Sequence, residues 1–212
     1  MRDSSVKNQT GRPRIRGGGC MSSGAIPPLL GFGRIATHVL AAASLALGSP
    51  PALAAQPPSG GLELKTAAFP PGGAIPKQFT CDGPDMSPAL SWTEPPPRTQ
   101  SFVLIVDDPD APAGTWVHWV VYNLPASARQ IPEHALSGDA VQGAGLPGVN
   151  DFHRAGYGGP CPPPGKPHRY FFRLYALDIE LAVKPKASRK DVDQAMRGHV
   201  LAHAELMGTY GR

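Results

Sequence analysis

The chain has 212 residues, 41% hydrophobic and 17% charged, with 26 prolines and 25 glycines. That is enough apolar material for one core, and too much punctuation for long helices over most of its length. The net charge of +4 excludes less than it suggests, because residues 1–54 hold six Lys/Arg and one acid while residues 55–212 hold fourteen Lys/Arg and fifteen acids. The folded part is slightly acidic, so no nucleic-acid partner is expected.

Residues 1–54 read as a leader. Arg12, Arg14, Arg16 and Arg34 precede an apolar run from Ile35 to Leu47, which is shorter than a bilayer-spanning helix requires. Ala52-Leu53-Ala54 then offers small residues at the spacing signal peptidase reads. We therefore expect a cleavable signal ending near Ala54, a periplasmic or secreted product, and one domain over residues 55–212. An uncleaved anchor or a tail with an accidental apolar run is the competing reading, and Met21 is an alternative start. Cys20 lies in the leader, which leaves Cys81 and Cys161 as an even pair; whether they bridge stays open at this point.

Residues 55–61, with Pro57, Pro58, Gly60 and Gly61, form a loose start. Leu62 to Thr66 alternates apolar and polar, the pattern of a half-buried strand. Pro70 to Gly73 is a turn, and Leu90-Ser91-Trp92 is a short strand. Pro95-Pro96-Pro97 precedes a central strand from Ser101 to Val106, short, apolar and bounded by breakers. Pro109 and Pro112 stop it, since each lacks an N–H and fixes φ. Val117 to Leu124 is the next strand, residues 126–137 hold one helical turn, and Gly143 to Asn150 is a glycine-rich loop. Tyr170 to Ile179 is a strand of alternating large apolar residues. Ser188 as N-cap and Asp191 three residues on open a C-terminal helix. Val192, Ala195, Met196, His199, Val200, His203 and Leu206 continue its spacing to a C′ Gly208. The expected fold is mainly β: an antiparallel β-sandwich with short peripheral helices and that C-terminal helix.

Two stretches carry the chemistry. In Val106-Asp107-Asp108-Pro109-Asp110-Ala111-Pro112, Asp108 and Asp110 leave a strand end on stiff backbone, and Trp116-Val117-His118-Trp119 re-enters the sheet. In Gly156-Tyr157-Gly158-Gly159-Pro160-Cys161-Pro162-Pro163, a Gly/Pro loop runs on to His168-Arg169-Tyr170. With Thr80-Cys81-Asp82-Gly83, Ser87-Pro88, Leu90-Ser91-Trp92 and the ending Ala204 to Tyr210, these motifs resemble the phosphatidylethanolamine-binding protein family, the Raf kinase inhibitor-like proteins, in its bacterial branch. The resemblance covers roughly residues 62–212. It implies two antiparallel sheets with a C-terminal helix. It also implies a small pocket lined by Asp108, Asp110, His118, His168 and Tyr170, with the loop from Gly159 and Pro160 to Pro163 forming one wall; Trp116, which strand alternation puts on the same face as His118, is expected to flank it. Such a pocket accepts phosphate-like anions and phospholipid head groups.

Two carboxylates suit an anion only where donors outweigh them. Histidines protonated beside an acid, a protonated aspartate, and the N–H groups of Gly158 and Gly159 are the candidate donors. Arg169, out of phase with His168 and Tyr170 in the strand, is read as structural. A metal site from two His and two Asp lacks the usual short helical spacing, so no metal or other cofactor is expected. No serine sits in a nucleophile elbow and neither cysteine has a base adjacent in sequence, so we expect a binding protein and not an enzyme. The alternatives are a protein-interaction regulator that inhibits a kinase or protease, and, less favoured, a small-ester hydrolase. A protein partner or a homodimer is compatible with the sequence. His134 and His153 have no motif, and His199 and His203 are placed on the helix surface. Trp92, Trp116 and Trp119 are read as packing residues. N-terminal sequencing of protein taken from the native cell envelope should find a chain beginning near Ala55; soluble protein that keeps its leader would reject export.

Overall fold

The computed structural model describes residues 61–137, 140–141 and 145–212. The expected leader, its expected cleavage position and the loose start expected at residues 55–60 lie outside the described residues. In chain order the strands are β1 (Leu64–Lys65), β2 (Leu90–Trp92), β3 (Ser101–Asp108), β4 (Trp116–Pro125), β5 (Gln130–Ile131), β6 (Leu136–Ser137), β7 (Ala140–Val141), β8 (Leu146–Pro147), β9 (His168–Leu177) and β10 (Val200–Tyr210). A 3-10 turn occupies Lys77–Phe79, and the helix α1 spans Arg189–Ala195.

β3 is buried at all eight of its residues because both faces of its sheet are covered. The sheet has the order β10-β9-β3-β4-β8, and every pairing in it is antiparallel. On one face it packs against the three-stranded sheet β1-β2-β5. Phe102, Leu104 and Val106 of β3 meet Trp119, Tyr170, Phe172, Leu90 and Trp92 there. On the other face Val103 and Ile105 pack with Val120 and Tyr122 of β4 and with Leu181, Val192 and Met196, from α1 and the segments flanking it. The mainly β fold is the expected one.

Two irregularities in β4 place side chains that strict alternation would not. Val106 pairs with Trp119 and Asp107 with Val117, so His118 is an extra residue in the ladder. Trp119 belongs to the core between the sheets and Val117 to the helix-covered face. The bulge at His118 turns its side chain toward the inter-sheet side, where its ring meets Tyr170. A second shift lies between Phe102 and Leu104, opposite Asn123, whose φ is 53°. The Asn123 side chain bonds the Leu181 N–H and C=O at 2.8 and 3.0 Å, tying the segment before α1 to the sheet.

The long C-terminal helix is corrected. The Ser188–Asp191 capping box forms as expected, but α1 ends at Ala195. Gly198, at φ 81°, turns the chain back into β10. From there the burial period is two: Ala204, Leu206, Gly208 and Tyr210 face inward. Gly208 is therefore no helix terminator; a Cβ there would lie 2.7 Å from Ile75 and 2.8 Å from Phe69. His199 follows the helix and pairs with Asp178 at 2.9 Å, while His203 lies on β10 against the Tyr175 ring. The helical turn expected in residues 126–137 is instead a turn followed by β5. The Gly143–Asn150 loop contains β8, which pairs with β4.

Alternation along β3 sends Asp107 to the helix-covered face and Asp108 to the other. Asp107 is 1% exposed and accepts from both Arg173 of β9 and Arg189 of α1, the latter at 2.6 Å. Glu205 and Asp193 hold the outer sides of the same guanidinium groups at 2.9 and 2.8 Å. Removing the central carboxylate leaves two partly buried cations facing each other. Asp107→Ala should therefore cost about 3–5 kcal/mol in urea unfolding. A loss within about 0.5 kcal/mol, the scale of ordinary surface changes, would show that the network does not hold α1 to the sheet.

Candidate functional site

Asp108, at the end of β3, is 3% exposed and both its oxygens are engaged. Oδ1 accepts the Asp110 N–H at 2.8 Å, closing the turn that Pro109 stiffens. Oδ2 lies 2.8 Å from Nδ1 of His168, the first residue of β9. His118, from the bulge in β4, is also 3% exposed. Its Nδ1 is 2.6 Å from the Gly158 carbonyl, which can only accept, so Nδ1 carries the hydrogen. Both imidazoles are thus held at Nδ1, and both residues line one space.

That space is a cavity of about 220 Å³ with Asp108, His118 and His168 as its polar lining. Trp116, Phe152, Ala111, Pro112, Pro162 and Pro163 supply apolar walls, and Cys161 completes one side. Among the lining residues there is no Lys or Arg. The volume is below that of drug-sized sites and matches a head group or a few waters. Burial pushes the His118 pKa below its usual value, against the opposing pull of the Gly158 carbonyl and the Asp108 charge.

The expected site residues separate into three sets. Asp108, His118, His168 and Trp116 come together around the cavity. Tyr170 lies behind it, fully buried, with its ring edge-on to His118 at 5.2 Å. Its hydroxyl lies near Asp108 outside hydrogen-bond geometry, and burial, then that carboxylate, raise it far above the usual phenol range. Asp110, Gly159 and Pro160 do not line the cavity. Asp110 grips Arg169 through two side-chain bonds at 2.7 and 2.8 Å and one backbone N–H at 3.0 Å. Those bonds hold its carboxyl well below the ordinary range, and Arg169 is structural, as its phase in the strand indicates. Asp110 borders an adjoining, more open cavity with Lys166 and His168.

The glycine N–H groups are spent as well. Gly158 N donates to the His118 carbonyl at 2.9 Å, and Gly159 N to Asp85 at 2.6 Å. Gly159 packs so closely on the Phe79–Thr80 backbone that a Cβ would lie 2.4 Å from the Phe79 oxygen. The wall is instead Cys161 to Pro163. Cys161 is bridged to Cys81 across 80 residues of sequence, which settles the open pairing. In the chain-entropy picture a loop of that length contributes roughly 4 kcal/mol.

Phe152 escaped sequence reasoning. It is 37% exposed and stands edge-on to both Trp116 and His118, with centroids 5.5 and 5.3 Å away. The buried Asn150 builds its turn, accepting the Phe152 and Arg154 N–H groups and donating to the Gly156 carbonyl. No local sequence signal marks it, because it is the burial of Asn150 in the fold that builds the turn. Among the described residues no group of three or more His, Cys, Asp or Glu is placed to hold a metal ion.

Because His118 resists protonation when folded, the unfolded chain takes up a proton first as pH falls below about 6.5. Stability should therefore fall on acidification in that range, by at most about 1.4 kcal/mol per pH unit for one group, and be constant in this respect above it. His118→Asn, whose amide can still donate to Gly158, should flatten the loss. Urea unfolding of both proteins between pH 7.5 and pH 5 checks this, and identical slopes would remove His118 as the cause.

The model of the family described as phosphatidylethanolamine-binding protein matches residues 65–211. A UPF0098 protein of Aquifex aeolicus is 50% identical over 153 residues, covering 71% of this chain and 89% of that one. Another, from Methanothermobacter thermautotrophicus, is 48% identical over 151 residues, with coverage of 71% and 99%. Neither name states an activity. Among solved structures, the Chlamydia trachomatis homologue CT736, described as a putative phosphatidylethanolamine-binding protein homologue, is 39% identical with a TM-score of 0.65, covering 72% of this chain and 98% of that one. YbcL of E. coli, described as a new member of the mammalian family, is 32% identical with a TM-score of 0.67 and coverage of 72% and 99%.

Proposed function

The chain belongs to the phosphatidylethanolamine-binding protein family, and from that premise we propose that it is an exported binding protein whose histidine cavity takes the phosphate of a small phosphomonoester or phospholipid head group. The observation that carries this reading is the pair of imidazoles lining one cavity. Each is held at Nδ1 by an acceptor, Gly158 for His118 and Asp108 for His168, and both residues line the same 220 Å³ space.

A fully ionised phosphate and two neutral imidazoles offer only acceptors to one another. One added proton resolves this, whether the ring or the phosphate carries it. A phosphomonoester has a second pKa of about 6, near that of histidine, so the proton can be shared between them. The apolar walls favour a group that carries carbon beyond the phosphate. No nucleophile with an adjacent base faces the cavity in the disulfide-bonded chain, which supports binding without catalysis. The disulfide fits the oxidising compartment to which the leader would deliver the protein.

Phosphoethanolamine should bind more tightly as pH falls from 8 to 6, by up to about tenfold per pH unit for one linked proton. Glycerophosphoethanolamine, a diester without the second ionisation, should show a weaker dependence. His118→Asn and His168→Gln should each weaken binding and reduce the pH effect, whereas Asp110→Asn, which loosens only the Arg169 pair, should bind as the parent does. NMR titrations at both pH values check this. Resonance shifts that map away from the cavity, or histidine variants that bind like the parent, would overturn the site.

A further inference from the structure

The bridge between Cys81 and Cys161 is built into the cavity and also open to solvent. Cys161 is part of the cavity lining, and both half-cystines are exposed. Up to Pro160 the wall is anchored without the sulfurs. Cys81 N donates to the Pro160 carbonyl at 3.1 Å, Gly159 N to Asp85 at 2.6 Å, and the Tyr157 hydroxyl to the Phe79 carbonyl at 2.8 Å. Beyond Pro160 the anchoring thins. Pro162 is buried, but Pro162, Pro163 and Pro164 have no N–H to donate, and the hydrogen bonds that remain among the described residues involve Arg212: its Nη1 donates to the Pro162 carbonyl at 3.4 Å, and its carbonyl accepts from Gly165 N at 3.1 Å. The disulfide is thus the one covalent hold on the wall that faces the two histidines.

The two sulfurs differ in electrostatic surroundings. The Arg212 guanidinium lies 3.6 Å from Cys161 Sγ. A cation there favours a thiolate on that sulfur. Cys81 instead precedes Asp82, whose carboxylate accepts from the Tyr210 hydroxyl at 2.6 Å and lies 3.4 Å from Arg212 Nε. Exchange runs faster when the leaving sulfur is the better thiolate, and exposed disulfides are the labile ones.

We propose that Cys81–Cys161 is a thiol–disulfide exchange site whose oxidation state sets the ligand wall of the cavity. A thiolate of an incoming dithiol attacks Cys81 Sγ. The bond between the sulfurs breaks, and its electron pair leaves on Cys161 beside Arg212. The second thiol of the reductant then displaces Cys81, so the bridge gains two electrons and two protons and the dithiol becomes a disulfide. Freed, the stretch from Cys161 to Gly165 loses its covalent hold while the base of the loop stays in place. The consequence for binding rests on the function proposed above; the exchange chemistry does not.

The purified full chain, treated with dithiothreitol at neutral pH without denaturant and then alkylated, should yield free Cys81 and Cys161 by peptide mass mapping, with its circular dichroism unchanged. With glutathione the trapped mixed disulfide should sit on Cys81. Arg212→Ala should slow opening at least about threefold, and Arg212→Lys should restore it. A bridge that opens only in urea, a mixed disulfide on Cys161, or an Arg212→Ala protein that opens at the parental rate would each overturn the proposal. Phosphoethanolamine should bind the oxidised protein several-fold more tightly than the reduced one, and Cys81→Ser with Cys161→Ser should match the reduced form. Binding equal in both states would overturn the wall's role. If phosphoethanolamine binds neither form, the proposed function fails, and the wall is then judged by the NMR order parameters of Cys161 and Gly165, which must fall on reduction.

Discussion

Side-chain alternation at the end of β3 is the constraint on which this architecture turns. A strand buried on both faces ends in two consecutive carboxylates, and the pleat sends them to opposite sides. Neither can stay buried unpaired. On the helix-covered face Asp107 collects Arg173 and Arg189, and this ion cluster fastens α1 to β3 and β9. On the other face Asp108 takes the Asp110 N–H and the His168 ring, and this closes the turn and sets one side of the cavity. A single repeat of two residues therefore separates the part of the molecule that holds it together from the part that lines the cavity.

Of the two acids first suggested as pocket groups, Asp108 lines the cavity and Asp110 is bound to Arg169. Nearby, Asp85 is engaged with Gly159 and Arg154, and Asp151 with the Val117 N–H. What remains is a cavity lined by Asp108 and two imidazoles in an otherwise apolar enclosure. Under the proposed function, a site with so little positive charge would take a phosphate by sharing a proton with it. In such an enclosure a shared proton would count for more than it does in water.

The three long strands that flank the site were legible in the sequence within a residue or two, because each is a continuous apolar or alternating run ended by proline, glycine or acid. So was the meeting of Asp108, His118 and His168, through motifs that lie at strand ends. The lower half of the final segment was not. Val192, Ala195, Met196, His199, Val200, His203 and Leu206 fit a helical spacing, yet Ala204, Leu206, Gly208 and Tyr210 fit a strand equally well. Gly198 was the deciding breaker, and its meaning depended on β9 offering an edge. The fate of Asp110 was also hidden, since its partner lies 59 residues away and an Asp-Pro-Asp turn does not announce it. Asp107 could have been placed by counting alternate residues; Phe152 could not, because only the packed turn around Asn150 brings it over the cavity.

The order of strands in the large sheet has a consequence for how the chain is made. β3 sits between β4, which follows at once, and β9, whose His168 lies 60 residues beyond Asp108. During synthesis the hairpin of β3 and β4 can form early, but the other edge of β3 stays open until β9 emerges. At roughly 5–20 residues per second that interval lasts several seconds. Throughout it, an apolar strand with unpaired N–H and C=O groups is displayed to whatever is nearby, be it a chaperone, a translocation channel or the same edge of a neighbouring nascent chain.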